Sequence, residues 1–203
     1  MYAPIVLVWL LNLGISVWNA YAVGKAWVET KHAGGWPRFM AWMGAVMSAC
    51  GFSWCYLLVL TIVAREMAWL DDDHFRMALQ LGYILIIPAV LISGLMIMLD
   101  SWARAYRMRT IGSIGSAAWN TYAQIHNTYH AIKDLDRAFA SVMKTLEGSS
   151  ESSSPGDKKG GAAALILVFV LVIVAILSGI LTTAVIIKRF AGEDEIPGES
   201  ANP

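Results

Sequence analysis

Apolar residues gather into four long runs along this chain, at about 5–23, 39–64, 77–99 and 162–187, and none of the four contains Asp, Glu, Lys or Arg. A helix needs roughly 20 apolar residues to cross about 30 Å of hydrocarbon, and each run supplies that length. A helix on a water-soluble core would break such a run with polar residues every turn. The pattern therefore predicts an all-α polytopic membrane protein with four transmembrane helices. The first run leads on to Trp18, Asn19 and Tyr21 with no basic segment before it and no small-x-small cleavage site, so it reads as a retained span.

The segment between the third and fourth runs follows a different rule. Ile111, Ala118, Ile125, Ile132, Phe139 and Leu146 recur every seven residues. Ile114, Leu135 and Val142 fall three positions after members of that series, and Tyr122, Tyr129 and Met143 fall four after. One apolar stripe is thus kept over about five heptads, which predicts a long amphipathic, coiled-coil-like helix within 101–147. The opposite side carries His126, His130, Lys133, Asp134, Arg137 and Lys144. Such a stripe suits packing on another helix, or else a helix lying on the membrane surface. Gly112 and Gly115 are the expected break from the third span.

The organisation that follows has five parts. A three-helix membrane core occupies 1–100, the amphipathic helix 101–147, and a flexible linker 148–161, whose sequence GSSESSSPGDKKGG has no residue to bury. The fourth span (162–187) and a tail (188–203) that turns acidic at Glu193, Asp194 and Glu195 complete the chain.

Charge sets the expected orientation. The first and third connecting segments hold eleven Lys and Arg residues, against four in the second connection and the C-terminal tail. The positive-inside rule places the first and third connections, and so the amphipathic helix, in the cytoplasm, with both termini outside a plasma or bacterial inner membrane. Trp27, Trp36 and Trp102 at one set of span ends and Trp69 at the other fit interfacial positions.

Composition narrows the function classes. Hydrophobic residues make up 57% and charged residues 15% of the chain, with zero formal net charge, so no nucleic-acid footprint is present. Cys50 and Cys55 lie in one span, five residues apart, and read as small buried apolar residues. His126 and His130, four apart, with Asp134 four further on, could share a metal on one helix face, but the plainer reading is a solvated polar face. Asn12, Ser16 and Asn19 form a polar strip in the first span, suited to interhelical hydrogen bonds or to lining a path. Pro88, flanked by Gly82 and Gly94, should kink the third span. The run Asp71, Asp72, Asp73, His74 reads as a solvated loop.

The apolar runs carry no ionisable residue of the kind transporters place at mid-membrane. No catalytic or nucleotide-binding motif is present, and nothing calls for a haem or other cofactor. The expectation is a non-enzymatic membrane scaffold, assembly factor or accessory subunit. It would associate with further copies or with other membrane subunits through the amphipathic helix. A small pore-forming protein, holin-like or channel-like, is the alternative.

Overall fold

The computed structural model describes residues 3–30, 35–151 and 157–192. Among them are five helices: α1 (Ala3–Glu29), α2 (Trp36–Glu66), α3 (Asp72–Met108), α4 (Ile111–Glu151) and α5 (Asp157–Gly192). Four segments, Ile5–Glu29, Trp36–Glu66, Asp72–Met108 and Ala162–Ala191, are long and apolar enough to cross a membrane, and α4 is the helix that is not. Each of the four contains one apolar run and continues past it, because the polar residues at its ends still close the intrahelical ladder. The expected linker is entered by helix from both sides, with α4 reaching Glu151 and α5 starting at Asp157; its middle, 152–156, lies outside the described residues, as does the acidic end of the tail from 193.

The turns have local chemical causes. Gly35 takes φ 65° before α2, and Pro37 occupies the first turn. After α2, Ala68 adopts φ 57°, and the amides of Trp69 and Leu70 both return to the Ala64 carbonyl at 2.9 and 3.3 Å, which closes the helix and tucks Leu70 inward. The acidic run is a cap as well as a loop: Asp71 Oδ1 accepts from the His74 backbone N–H at 2.8 Å, and Asp72 and Asp73 sit in the first turn of α3. Between α3 and α4 the chain reverses at Arg109 and Thr110, not at the glycines expected to mark the break. Arg109 is left-handed (φ 50°), and the Thr110 and Ser113 amides each donate to the other residue's hydroxyl oxygen at 3.2 Å. Gly112 and Gly115 lie inside α4, and α3 runs unbroken through Pro88.

Side-chain pairs fix the helix directions. Asn12 meets Gly51 and Ser16 meets Ser48, so α2 runs antiparallel to α1. Trp36 meets Asp100 and Met47 meets Ser93, so α3 reverses again. Trp102 meets Thr121, Leu91 meets Gln124, and Tyr83 and Gln80 share a cavity wall with Asp134 and Ala138, so α4 runs back along the apolar length of α3. Ser53 meets Ile176 and Ser48 meets Thr183, so α5 is antiparallel to α2 and parallel to α1 and α3. The end of α1, the start of α2, the α3–α4 turn and the end of α5 therefore share one end of the bundle. The start of α1, the loop between α2 and α3, the end of α4 and the start of α5 share the other.

The seams are built from small and hydroxyl-bearing residues. Helix α2 sits between α1, α3 and α5, burying Ala41, Ser48, Ser53, Thr61 and Ala64. Gly51 faces Ser16, Gly82 faces Leu57, and Gly179 lies against the Ala49 carbonyl. Two apolar clusters fill the rest, one around Leu70, Met77, Val142 and Val168, the other around Leu57, Val172 and Ala175. Large apolar side chains such as Leu11, Ile15, Ile166, Ile173 and Leu181 point outward. This inside-out arrangement suits a lipid surround, where close backbone approach and interhelical hydrogen bonds hold helices together.

Candidate functional site

Helix α4 has three faces. The face toward α3 carries small and polar residues: Ala117, Ala131, Ala138 and Val142 are buried, with Thr121, Gln124 and Thr128 between them. Trp102 Nε1 donates to Thr121 Oγ1 at 2.8 Å, and Gln124 Nε2 donates to the Leu91 carbonyl at 3.0 Å, next to Gly94, which leaves room for it. The packed set 117, 124, 131 and 138 keeps the seven-residue period but lies one position before the stripe of large apolar residues.

That stripe faces outward. Ile125, Ile132 and Phe139 are about 60% exposed, Ile111 is almost fully exposed, Ala118 is exposed, and only Leu146 packs against the bundle, at the edge of the Leu70–Val168 cluster. Trp119, Tyr122 and Tyr129 extend the same surface.

The third face is polar. His126 and His130 lie with ring centroids 4.4 Å apart; Tyr122 stacks on His126, and Tyr129 meets His130 edge-on. Asp134 approaches Arg137 at 3.8 Å, and Lys133 is exposed beside them. No group of three His, Cys, Asp or Glu side chains able to share an ion occurs among the described residues. A cavity of about 250 Å³ separates Asp134 and Arg137 from Trp54, Gln80 and Tyr83, and Gln80 Oε1 is buried there with no hydrogen-bond partner among the described residues.

The polar strip of α1 is turned mostly into the protein. Asn12 Nδ2 donates to the Gly51 carbonyl at 3.0 Å and contacts Cys55 Sγ at 3.2 Å, while Ser16 Oγ donates to the Asn12 carbonyl at 2.7 Å. Trp9 Nε1 adds a bond to the Cys55 carbonyl at 3.1 Å. Asn19 lines a groove of about 340 Å³ with Cys50 and Tyr83. Cys50 and Cys55 are free thiols.

Two further features are absent from the sequence reading. Asp100, nearly buried at the end of the apolar part of α3, accepts from Trp36 Nε1 at 2.8 Å and from Arg104 Nε at 3.0 Å, tying the start of α2 to α3. The aspartate directly after the third run was the only signal for it. The other is an apolar slot of about 700 Å³ between α2 and α5, lined also by Trp27 of α1, along which Trp42, Ile180, Ala184 and Lys188 are exposed. Its walls come from three distant segments, so no local pattern announces it.

Comparison with known proteins adds no relative: no protein-family profile, curated protein or solved structure matches the chain.

Proposed function

We propose that this chain is a non-enzymatic scaffold or accessory subunit of a membrane complex, and that α4 is the helix through which it assembles with a second copy or with another membrane subunit. The observation that carries the reading is the outward surface of α4. It runs level with the apolar span of α3, yet presents His126, His130, Lys133 and Arg137 beside Tyr122, Ile125, Ile132 and Phe139, all of them exposed. A Lys, Arg or Asp facing lipid at mid-membrane costs roughly 2.5–3.5 kcal/mol on an insertion scale. A surface carrying several such groups calls for a protein or water neighbour.

The helix directions support a finer statement about topology. Since α3 and α5 run the same way, α4 has to return between them, and we read it as a bilayer crossing held against α3 instead of a helix lying in the cytoplasm. Described basic residues at the α1–α2 end are Lys25, Arg38, Arg104, Arg107, Arg109, Lys188 and Arg189, against the acidic Glu29 and Asp100. The opposite end carries Arg65, Arg76, Lys144, Lys158 and Lys159 against Glu66, Asp71, Asp72, Asp73, Glu147, Glu151 and Asp157. The positive-inside rule favours the first end as cytoplasmic, which puts the N-terminus outside and the C-terminus inside.

Cross-linking and detergent-corrected mass of the full-length chain in native membrane extracts test the assembly role. Wild type should give a species larger than the monomer. Ile132→Asp should lose it, while Leu181→Ala, on the outward face of α5, should keep it. A monomeric wild type with nothing co-purifying, or identical behaviour of the two variants, removes the basis for the proposal.

A further inference from the structure

We propose that the slot between α2 and α5 binds an anionic phospholipid, one acyl chain lying along the slot and the phosphate at Lys188. The shape argues for a chain-like guest. The walls are Ala45, Ala49, Ile180, Ala184 and Ile187, with Thr183 as the one hydroxyl, and the volume of about 700 Å³ is left because alanines stand where larger side chains would fill it. From Ile180 to Ala191 the slot follows α5 for about 16 Å at 1.5 Å per residue, which matches one leaflet of a hydrocarbon core about 30 Å thick.

The end of the slot at Lys188 is cationic and aromatic. Lys188 is exposed at the rim. Trp27 and Trp42 meet edge to face there, centroids 5.3 Å apart. Arg38 lies over the Trp27 ring at 3.8 Å and donates to the Trp27 carbonyl at 3.3 Å, so a second positive charge is fixed beside the mouth. Tryptophans at headgroup level and basic residues at the mouth of an interhelical slot are the chemistry that recognises a phosphate-bearing lipid. A zwitterionic lipid would fill the apolar part equally well, but its own ammonium group competes with Lys188 and Arg38 for its phosphate. The proposal does not depend on α4 or on the assembly role.

The test is native mass spectrometry of the full chain in mild detergent, titrated with phosphatidylglycerol and with phosphatidylcholine of the same acyl chains. Wild type should retain one phosphatidylglycerol at concentrations where phosphatidylcholine is lost. Lys188→Gln should weaken phosphatidylglycerol about fivefold, the contribution of one lysine near an anionic surface, and leave phosphatidylcholine unchanged. Ala184→Phe should fill the slot and abolish retention of both, and Lys144→Gln, at the opposite end of the bundle, should change neither. Should Ala184→Phe fail to fold, Lys188→Gln decides alone. Equal retention of the two lipids by wild type, or an unchanged preference in Lys188→Gln, overturns the assignment.

Discussion

Gly179 is the tightest point of the α2–α5 seam, and replacing it by alanine tests the packing directly. A Cβ built there would stand 2.6 Å from the Ala49 carbonyl oxygen and 2.5 Å from the Ser53 amide nitrogen, and would also meet Ser53 Oγ. Ordinary contact begins at 3.4 Å, so each backbone contact is short by about 0.8–0.9 Å. The Ser53 side chain can rotate away, but the two backbone atoms move only if the helices part. Parting them loosens the Ser48–Thr183 and Ser53–Ile176 hydrogen bonds in the same seam. Overpacking of this kind costs about 1–3 kcal/mol. Against it, alanine favours the helix by up to about 1 kcal/mol over glycine. Gly14→Ala in α1 isolates that second effect, since nothing lies within 4 Å of a Cβ there. The propensity contribution is common to both variants, so Gly179→Ala should be less stable than Gly14→Ala by about 1–3 kcal/mol. Intrinsic tryptophan fluorescence during thermal or SDS-driven unfolding in detergent measures the difference. If the two variants unfold together, α2 and α5 do not approach as closely as described.

Other expectations follow from other places in the bundle. Asp100→Ala should destabilise by about 1–3 kcal/mol, because the Trp36 N–H and the Arg104 guanidinium lose their acceptor; Asp100→Asn, which can still accept from Trp36, should cost less, and equal losses would show that the Trp36 bond contributes nothing. Asp71→Ala should cost about 1 kcal/mol as a lost N-cap. Burial pushes the Asp71 carboxyl up, but hydrogen bonds from the His74 backbone and ring, the His74 charge and the Asp73 backbone outweigh it, so the group sits below its ordinary 3.8. Its charge therefore contributes stability that is present above about pH 4 and lost as the pH falls through the lowered value; the stability gap between wild type and Asp71→Asn should close in that acid window, and a gap constant down to pH 2 would contradict it. In a background without Cys50 and Cys55, Lys144→Cys should label from the same side as Asp73→Cys and Arg109→Cys from the other; labelling of Lys144→Cys and Arg109→Cys from one side would put α4 outside the bilayer.

The four apolar helices were legible because a run of about 20 uncharged apolar residues admits few other structures. Their true ends were not, since Trp36–Arg38 and Asp100–Met108 extend the helices with residues that hydropathy assigns to loops. The seven-residue period of α4 was also legible. Which face of α4 packs on α3 was not. In water the large apolar residues would turn inward; here Ala117, Ala131 and Ala138 do so, and Ile125 and Ile132 face out. The period is the same for either choice, and only the surrounding medium decides between them. Asp100 with Trp36, and the slot at Trp27, Trp42 and Lys188, depend on residues dozens of positions apart in sequence, and no local spacing encodes such meetings.

The inside-out seams also carry a thermodynamic consequence. Unfolding a water-soluble domain exposes apolar surface to water and raises the heat capacity, which curves stability with temperature and opens a route to cold denaturation. In a bilayer, Leu11, Ile166, Ile173 and Leu181 face hydrocarbon before helices part and still face it afterwards. What separation exposes is alanine, glycine, a few apolar chains such as Leu57 and Val172 that then face hydrocarbon, and serine hydroxyls already bonded within their own helix, as Ser53 is to Ala49 and Ser93 to Ala89. Helix separation in this protein should therefore proceed with a heat-capacity change far below the roughly 12–15 cal/mol/K per residue of soluble domains, and its stability should follow the thickness and lateral pressure of the surrounding lipid more closely than it follows temperature.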